Sequence, residues 1–266
     1  MRRPLVAGNW KMNGTTAQAS ALAEGLLNQI MWRDDVDVVV CPPYLSIAKV
    51  RELNTKHKLS LGAQDVFWVA SGAFTGRVSA PMLSDLGVEY CIVGHSETRG
   101  RFGKLDVAES TVGFFAETDE TVGLKIAALL EHGIKPIFCV GETLAERESG
   151  KTDAIIQSQI TNALANFDES ELGTLVIAYE PVWAIGTGQV CDSPEAERIC
   201  GMIRDHIRSQ FSSGLADGLR VLYGGSVSDK NAHELFMLPN IDGGLVGGAS
   251  LKADSFAAII AAVPVQ

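Results

Sequence analysis

Short apolar segments alternate with stretches of helical spacing from one end of this chain to the other, and nowhere do strands gather apart from helices. The strand candidates lie at 5–7, 36–41, 59–63, 90–93, 134–140, 174–179, 219–223 and 244–246. Helical patterns occupy 16–32, 45–53, 80–86, 119–131, 153–166, 193–210 and 254–262. About eight β/α units in series call for a parallel sheet, because a right-handed crossover helix returns each strand alongside the last. Closing that sheet into a (β/α)8 barrel removes both edges and sets every strand-end loop on one face, so the expected fold is α/β, a closed eight-stranded barrel surrounded by helices, forming a single domain over residues 1–266. The run 99–115 is the least regular, and 212–218 reads as a polar turn too near the end to divide two domains.

Charge and cysteine usage narrow the partners. Thirty-two acidic residues against 22 basic give a net charge of −10, which argues against nucleic acid or an anionic membrane as the partner. An anionic metabolite then needs a local positive patch. The N-terminus has two arginines but too short an apolar run for an export signal, and no segment reaches about 18 uninterrupted apolar residues, so a cytoplasmic chain is expected. Five cysteines, an odd number without metal-like spacing, read as reduced core thiols; no metal site is expected.

Chemistry concentrates at the strand ends. Glu180 follows a β-branched and aromatic run, Pro181 holds it extended, and Ala184, Gly186 and Gly188 give the loop beyond a pliable tip. A barrel brings Glu180 together with Asn9, Lys11 and His95 from other strand ends. Singly these residues read as a strand cap, a turn former, a surface charge and a core histidine; their shared position gives them a pocket. Gly224-Gly225-Ser226 and Gly247-Gly248 follow the last two strands, where barrels often hold a phosphate on backbone N–H groups. Gly186 and Ser226 add donors there, and Lys11 adds charge. The glycines fit neither GxGxxG nor Walker A spacing.

Six motifs in order then resemble the triosephosphate isomerase family over essentially the full length: Ala7-Gly8-Asn9-Trp10-Lys11-Met12-Asn13, Gly72-Ala73-Phe74-Thr75-Gly76, Gly94-His95-Ser96-Glu97, the run 178–188, Tyr223-Gly224-Gly225-Ser226-Val227, and the run 244–251. The resemblance implies a TIM barrel that interconverts dihydroxyacetone phosphate and D-glyceraldehyde 3-phosphate through an enediolate, in glycolysis and gluconeogenesis, without cofactor or metal. It implies Glu180 as catalytic base, His95 as a neutral electrophile, Lys11 as the cation with Asn9 beside it, and Glu97 as a partner of that lysine. Asn9, Lys11, Gly186, Ser226, Gly247 and Gly248 fall on substrate and phosphate positions, and Pro181, Trp183, Ala184, Ile185, Gly186, Thr187 and Gly188 on a lid. The family is typically a homodimer, with Phe74 and Thr75 matching the tip of the loop that enters the neighbour. This family is itself a well-known example of pKa tuning and of loop closure, so those roles come to the chain by resemblance.

The chain departs from the family pattern in three places. About a dozen additional residues within 104–116, among them Leu105, Val107, Phe114 and Phe115, read as a surface insertion. Thr98 stands where arginine is common, removing an ion pair unless Arg99 replaces it. Asp65 stands where asparagine is usual, and if buried its carboxylate must find a donor or cost stability. Two other readings stay open: a barrel that serves as a binding protein through the insertion, and an isomerase of a different small sugar phosphate.

Overall fold

Strands buried on both faces are apolar through their middles, with polar residues such as Asp37, Lys135, Arg220 and Asn9 kept to their ends, and that is how the chain closes on itself. The computed structural model describes residues 2–54, 59–104 and 107–265. In chain order, β1 (Leu5–Asn9), α1 (Thr16–Gln29), β2 (Asp37–Cys41), α2 (Tyr44–Leu53), β3 (Ser60–Ala63), α3 (Ala80–Asp85) and β4 (Tyr90–Val93) form the first half. There follow α4 (Asp119–Glu131), β5 (Lys135–Val140), α5 (Leu144–Glu148), α6 (Thr152–Ala163), β6 (Val176–Tyr179), α7 (Ser193–Gln210), α8 (Ser213–Gly218), β7 (Arg220–Tyr223), α9 (Ala232–Phe236), β8 (Gly243–Val246) and α10 (Ala253–Ala261). The strands run β1 to β8 in sequence order as a closed parallel barrel. Closure is made by β1 on β8, with Leu5 opposite Gly243 and Gly8 opposite Val246.

The two-residue period of the strands sorts their side chains into two cores. Leu5, Ala7, Val39, Cys41, Tyr90, Ile92, Ile137, Cys139, Val176, Ala178, Leu222 and Leu245 form the smaller cluster, inside the barrel. Their neighbours Val6, Val40, Cys91, Phe138, Ile177 and Val221 belong to the larger cluster shared with the helices, where Leu26, Ile47, Ile126, Ile160, Ile203 and Ile259 meet them. All five cysteines are buried and unpaired, and burial pushes the Cys41 thiol up to about 12, so it is an inert part of the core. At the N-terminal end of the barrel, the Asp242 carboxylate accepts from Arg2 Nε (2.6 Å), Arg204 Nη2 (2.8 Å) and the Val221 N–H (2.8 Å). Both Asp242 oxygens are thus partnered, which ties the N-terminus, α7 and β7 together on the face opposite the strand-end loops.

The elements differ from the sequence reading at their margins. The helical pattern over 16–32 stops at Gln29, because Ile30 turns to extended backbone as its side chain enters the core. The stretch 212–218, expected as a polar turn, contains α8: Ser212 Oγ accepts the Leu215 N–H as an N-cap, and Leu215 and Ala216 are buried. The short helices α5 and α9 show no period in the sequence. Within 104–116, residues Glu109–Phe114 form a 3-10 helix with no buried side chain, Phe114 being 82% exposed; Leu105 lies outside the described residues. Among the described residues no helix is long and apolar enough to cross a membrane.

Candidate active site

The C-terminal ends of β1, β4, β6, β7 and β8 surround a cavity of about 320 Å³. Asn9, Lys11, His95, Glu180, Gly186, Ser226, Gly247 and Gly248 all line it, so residues picked from five separate strand ends meet in one place. A second cavity, of about 370 Å³, opens between the third loop and Phe114-Phe115 and contains none of them.

Lys11 reaches the cavity at a conformational cost. Its φ of 50° places it in the left-handed region, which no other non-glycine among the described residues occupies, and which costs on the order of 1 kcal/mol. Two bonds hold it there: its N–H donates to Asn9 Oδ1 at 3.0 Å, and Gln64 Nε2 donates to its carbonyl at 2.9 Å. Asn9 thus shapes the turn as well as lining the cavity. The ammonium pairs with Glu97 Oε1 at 2.6 Å, as the resemblance implies; Glu97 itself is not part of the lining.

His95 and Glu180 form a buried pair. The Glu97 N–H donates to His95 Nδ1 at 3.1 Å, so a neutral ring carries its proton on Nε2, which stands 2.8 Å from Glu180 Oε1. Glu180 Oε2 accepts the Ser96 N–H at 3.0 Å, and the residue is only 2% exposed. Burial alone pushes the Glu180 carboxyl up, but His95, the Ser96 N–H and the Lys11 charge together pull it below the usual carboxylate range. Burial alone pulls the imidazole down; Glu180, by charge and by hydrogen bond, turns the balance and raises it above the usual histidine value, against a lowering by Lys11. The two shifts are largely one interaction seen from both sides. Gly141, at the end of β5, lets Glu180 sit there, since a Cβ at 141 would fall 1.7 Å from the Glu180 carbonyl oxygen.

The loop after Glu180 is anchored at its start by buried side chains and carries glycines with positive φ at its tip. Val182–Ala184 make one 3-10 turn. Trp183 Nε1 donates to Glu142 Oε1 at 2.8 Å, the Tyr179 hydroxyl donates to the same oxygen at 3.2 Å, and the Arg147 guanidinium lies 4.4 Å over the Trp183 ring. Burial pushes the Glu142 carboxyl up, with the Trp183 and Tyr179 bonds opposing. Pro181, Trp183 and Ala184 are held by these contacts in this arrangement; Ile185 and Gly186 face the cavity, while Gly186 and Gly188 carry positive φ and Thr187 closes the loop by donating to the Trp183 carbonyl at 2.7 Å. Ser226 Oγ donates to the Ala184 carbonyl at 3.3 Å, tying the loop to the glycine-rich end of β7. Glu142, Gly141, Gln64 and the Ser96 N–H do not stand out in the sequence. The only signal for them is that Gly141-Glu142 ends a strand on the same face.

Phe74 packs against Phe67, ring centroids 4.7 Å apart, with Phe74 and Thr75 both exposed. Asp65 has found its donor: Lys125 Nζ lies 2.6 Å away and also pairs with Glu117. Burial still pushes the Asp65 carboxyl up, with Lys125 pulling the other way. Thr98 donates to Glu117 and to the His95 carbonyl, while Arg99 pairs with Asp119 at 2.6 Å, so Lys125 rather than Arg99 supplies the charge for Glu117.

Residues 4–263 match the protein-family model described as triosephosphate isomerase. Similar curated proteins bear that name: one from Roseiflexus sp. (strain RS-1), 46% identical over 266 residues and 100% of both chains, and one from Carboxydothermus hydrogenoformans, 45% identical over 260 residues and 98% of each. A third, from Acetivibrio thermocellus, is 45% identical over 255 residues, 96% of each chain.

Proposed function

From the premise that this chain belongs to the triosephosphate isomerase family, an intramolecular aldose–ketose isomerase, we propose that its interconversion of dihydroxyacetone phosphate and D-glyceraldehyde 3-phosphate is carried out by Glu180, His95 and Lys11 in the 320 Å³ cavity. The observation that carries the assignment is the 2.8 Å approach of His95 Nε2 to Glu180 Oε1 in a cavity that Lys11 also lines. Glu180 removes a proton from one carbon and returns it to its neighbour. To do so its carboxylate leaves His95 and the Ser96 N–H. Those two contacts, with a smaller contribution from Lys11, hold its pKa down against burial, so leaving them while still buried makes it a stronger base when the substrate is in place. His95, freed from the carboxylate that raises its pKa, is a neutral imidazole whose Nε2–H donates to the enediolate oxygens. Lys11, with Asn9, stabilises the negative charge that develops.

The substrate's phosphate lies against Gly186, Ser226, Gly247 and Gly248, and the 181–188 loop acts as a lid that keeps water from the enediolate. The test is turnover of glyceraldehyde 3-phosphate by purified protein with detection of dihydroxyacetone phosphate. Folded protein without turnover would sink the reading.

The chain acts as a cytoplasmic homodimer of single barrel domains, with 104–116 as a surface insertion. What supports the dimer is exposed apolar surface on strand-end loops and nearby helices, Met12 at 97%, with Leu45, Phe74 and Met82. Sedimentation should give twice the 28.4 kDa chain mass; a monomer at micromolar concentration would refute the dimer.

A further inference from the structure

Gly103, where the 104–116 segment leaves the barrel, lies against the lid. A Cβ there would stand 2.5 Å from the Val182 carbonyl oxygen, 2.6 Å from that of Ile185 and 3.0 Å from Thr187 Cγ2. The two closest atoms are backbone, so no side-chain rotation relieves the clash. All three belong to the loop after Glu180, from its anchored start to its tip. Residue 103 is also braced: Phe102 meets Phe115 edge-on, centroids 5.4 Å apart, and Phe115 meets Phe114 in the same way at 5.4 Å. Arg101 fixes the preceding backbone, donating to the Gly141 carbonyl at 3.1 Å and pairing with Glu146. Gly113, in the same segment, would meet nothing within 4 Å.

We propose that Gly103 is a positioning residue, the seat on which the lid rests in the arrangement seen here, and that the aromatic brace from Phe115 makes the inserted segment part of that seat. The inference rests on the reading of 181–188 as a lid over a phosphate site. Lid opening and closing is an equilibrium, and a group that favours the seated position lowers the apparent affinity of any ligand that requires the lid to leave it. The insertion thereby trades tight binding for easy release.

The experiment compares wild type, Gly103→Ala and Gly113→Ala, with inorganic phosphate as probe and steady-state kinetics alongside. Crowding the seat should tighten phosphate binding by about fivefold and lower both KM and kcat, since a lid that leaves its seat readily closes more often and releases product more slowly. Gly113→Ala should match wild type in all three. Unchanged or weaker phosphate binding by a folded Gly103→Ala protein would overturn the proposal. Should that variant not fold, hydrogen exchange of the wild type decides: phosphate should alter protection of the 102–103 amides together with those of 182–188. A response at 182–188 without one at 102–103 overturns the seat and leaves the lid; no response at either removes the lid reading and the seat with it.

Discussion

Glu180→Gln is expected to lower kcat by about 10²- to 10⁴-fold, the range associated with a positioned general base. The amide keeps the volume of a side chain that is 2% exposed, so the fold should survive, at a cost. In the wild type both carboxylate oxygens face donors, His95 Nε2–H and the Ser96 N–H. An amide offers one acceptor, so its NH₂ must face one of those donors, at about 1–3 kcal/mol of stability. Urea unfolding should show that loss beside the far larger kinetic one. A pH signature goes with it. Burial and Lys11 lower the His95 pKa, and Glu180, with a smaller contribution from Glu97, raises it; removing the Glu180 carboxylate takes away the largest raising influence. The imidazole should therefore titrate at lower pH in the variant than in the wild type, by NMR. A variant that turns over within tenfold of wild type, or an unmoved His95 titration, would dismiss the pair as the centre of the reaction.

Much of this site is legible because strand ends are legible. β1, β4 and β6 are buried at every position, so each appears as a short apolar run, and the polar residues at or just beyond its end face the strand-end surface. Glu180, His95, Asn9 and Lys11 emerge that way. What the sequence hides depends on contacts between distant segments. Glu142 is an ordinary acid after a strand until Trp183, 41 residues on, donates to it. Gly103 and Gly141 matter only because of the backbone that approaches them. Thr98 and Asp65, read one at a time, each look like a lost interaction. In the structure both stand around Glu117 and Lys125, where Thr98 supplies a hydroxyl donor and Asp65 a second carboxylate for the buried ammonium. Helices as short as α5, α8 and α9 have too few turns to show a period; a capping box marks α5, buried side chains mark α9, and α8 has both a cap and buried side chains.

Lys11→Met is the second large effect, expected to reduce kcat/KM by about 10²- to 10³-fold through loss of an electrostatic stabiliser. The chain carries a net charge of −10, and Lys11 is the one lysine or arginine lining the cavity among the described residues, so a phosphorylated substrate loses its nearest cation. Methionine keeps the unbranched stem, and its backbone at φ 50° carries the same strain as lysine's, so the turn held by Asn9 and Gln64 neither gains nor loses by the change. Glu97 loses its partner but is 43% exposed and regains water at little cost. Unlike Glu180→Gln, which leaves the charge in place, this variant should raise KM as well as lower kcat, because the ammonium acts on the bound anion and on the charge that develops from it. Added salt should raise the wild-type KM and affect the variant less, since the attraction being screened is gone. Lys11→Arg should recover part of KM and little of kcat, because a planar, longer guanidinium restores charge without placing it where the ammonium stood. A Lys11→Met protein with wild-type KM and an unaltered salt response would show that the phosphate is held by the glycine-rich strand ends alone.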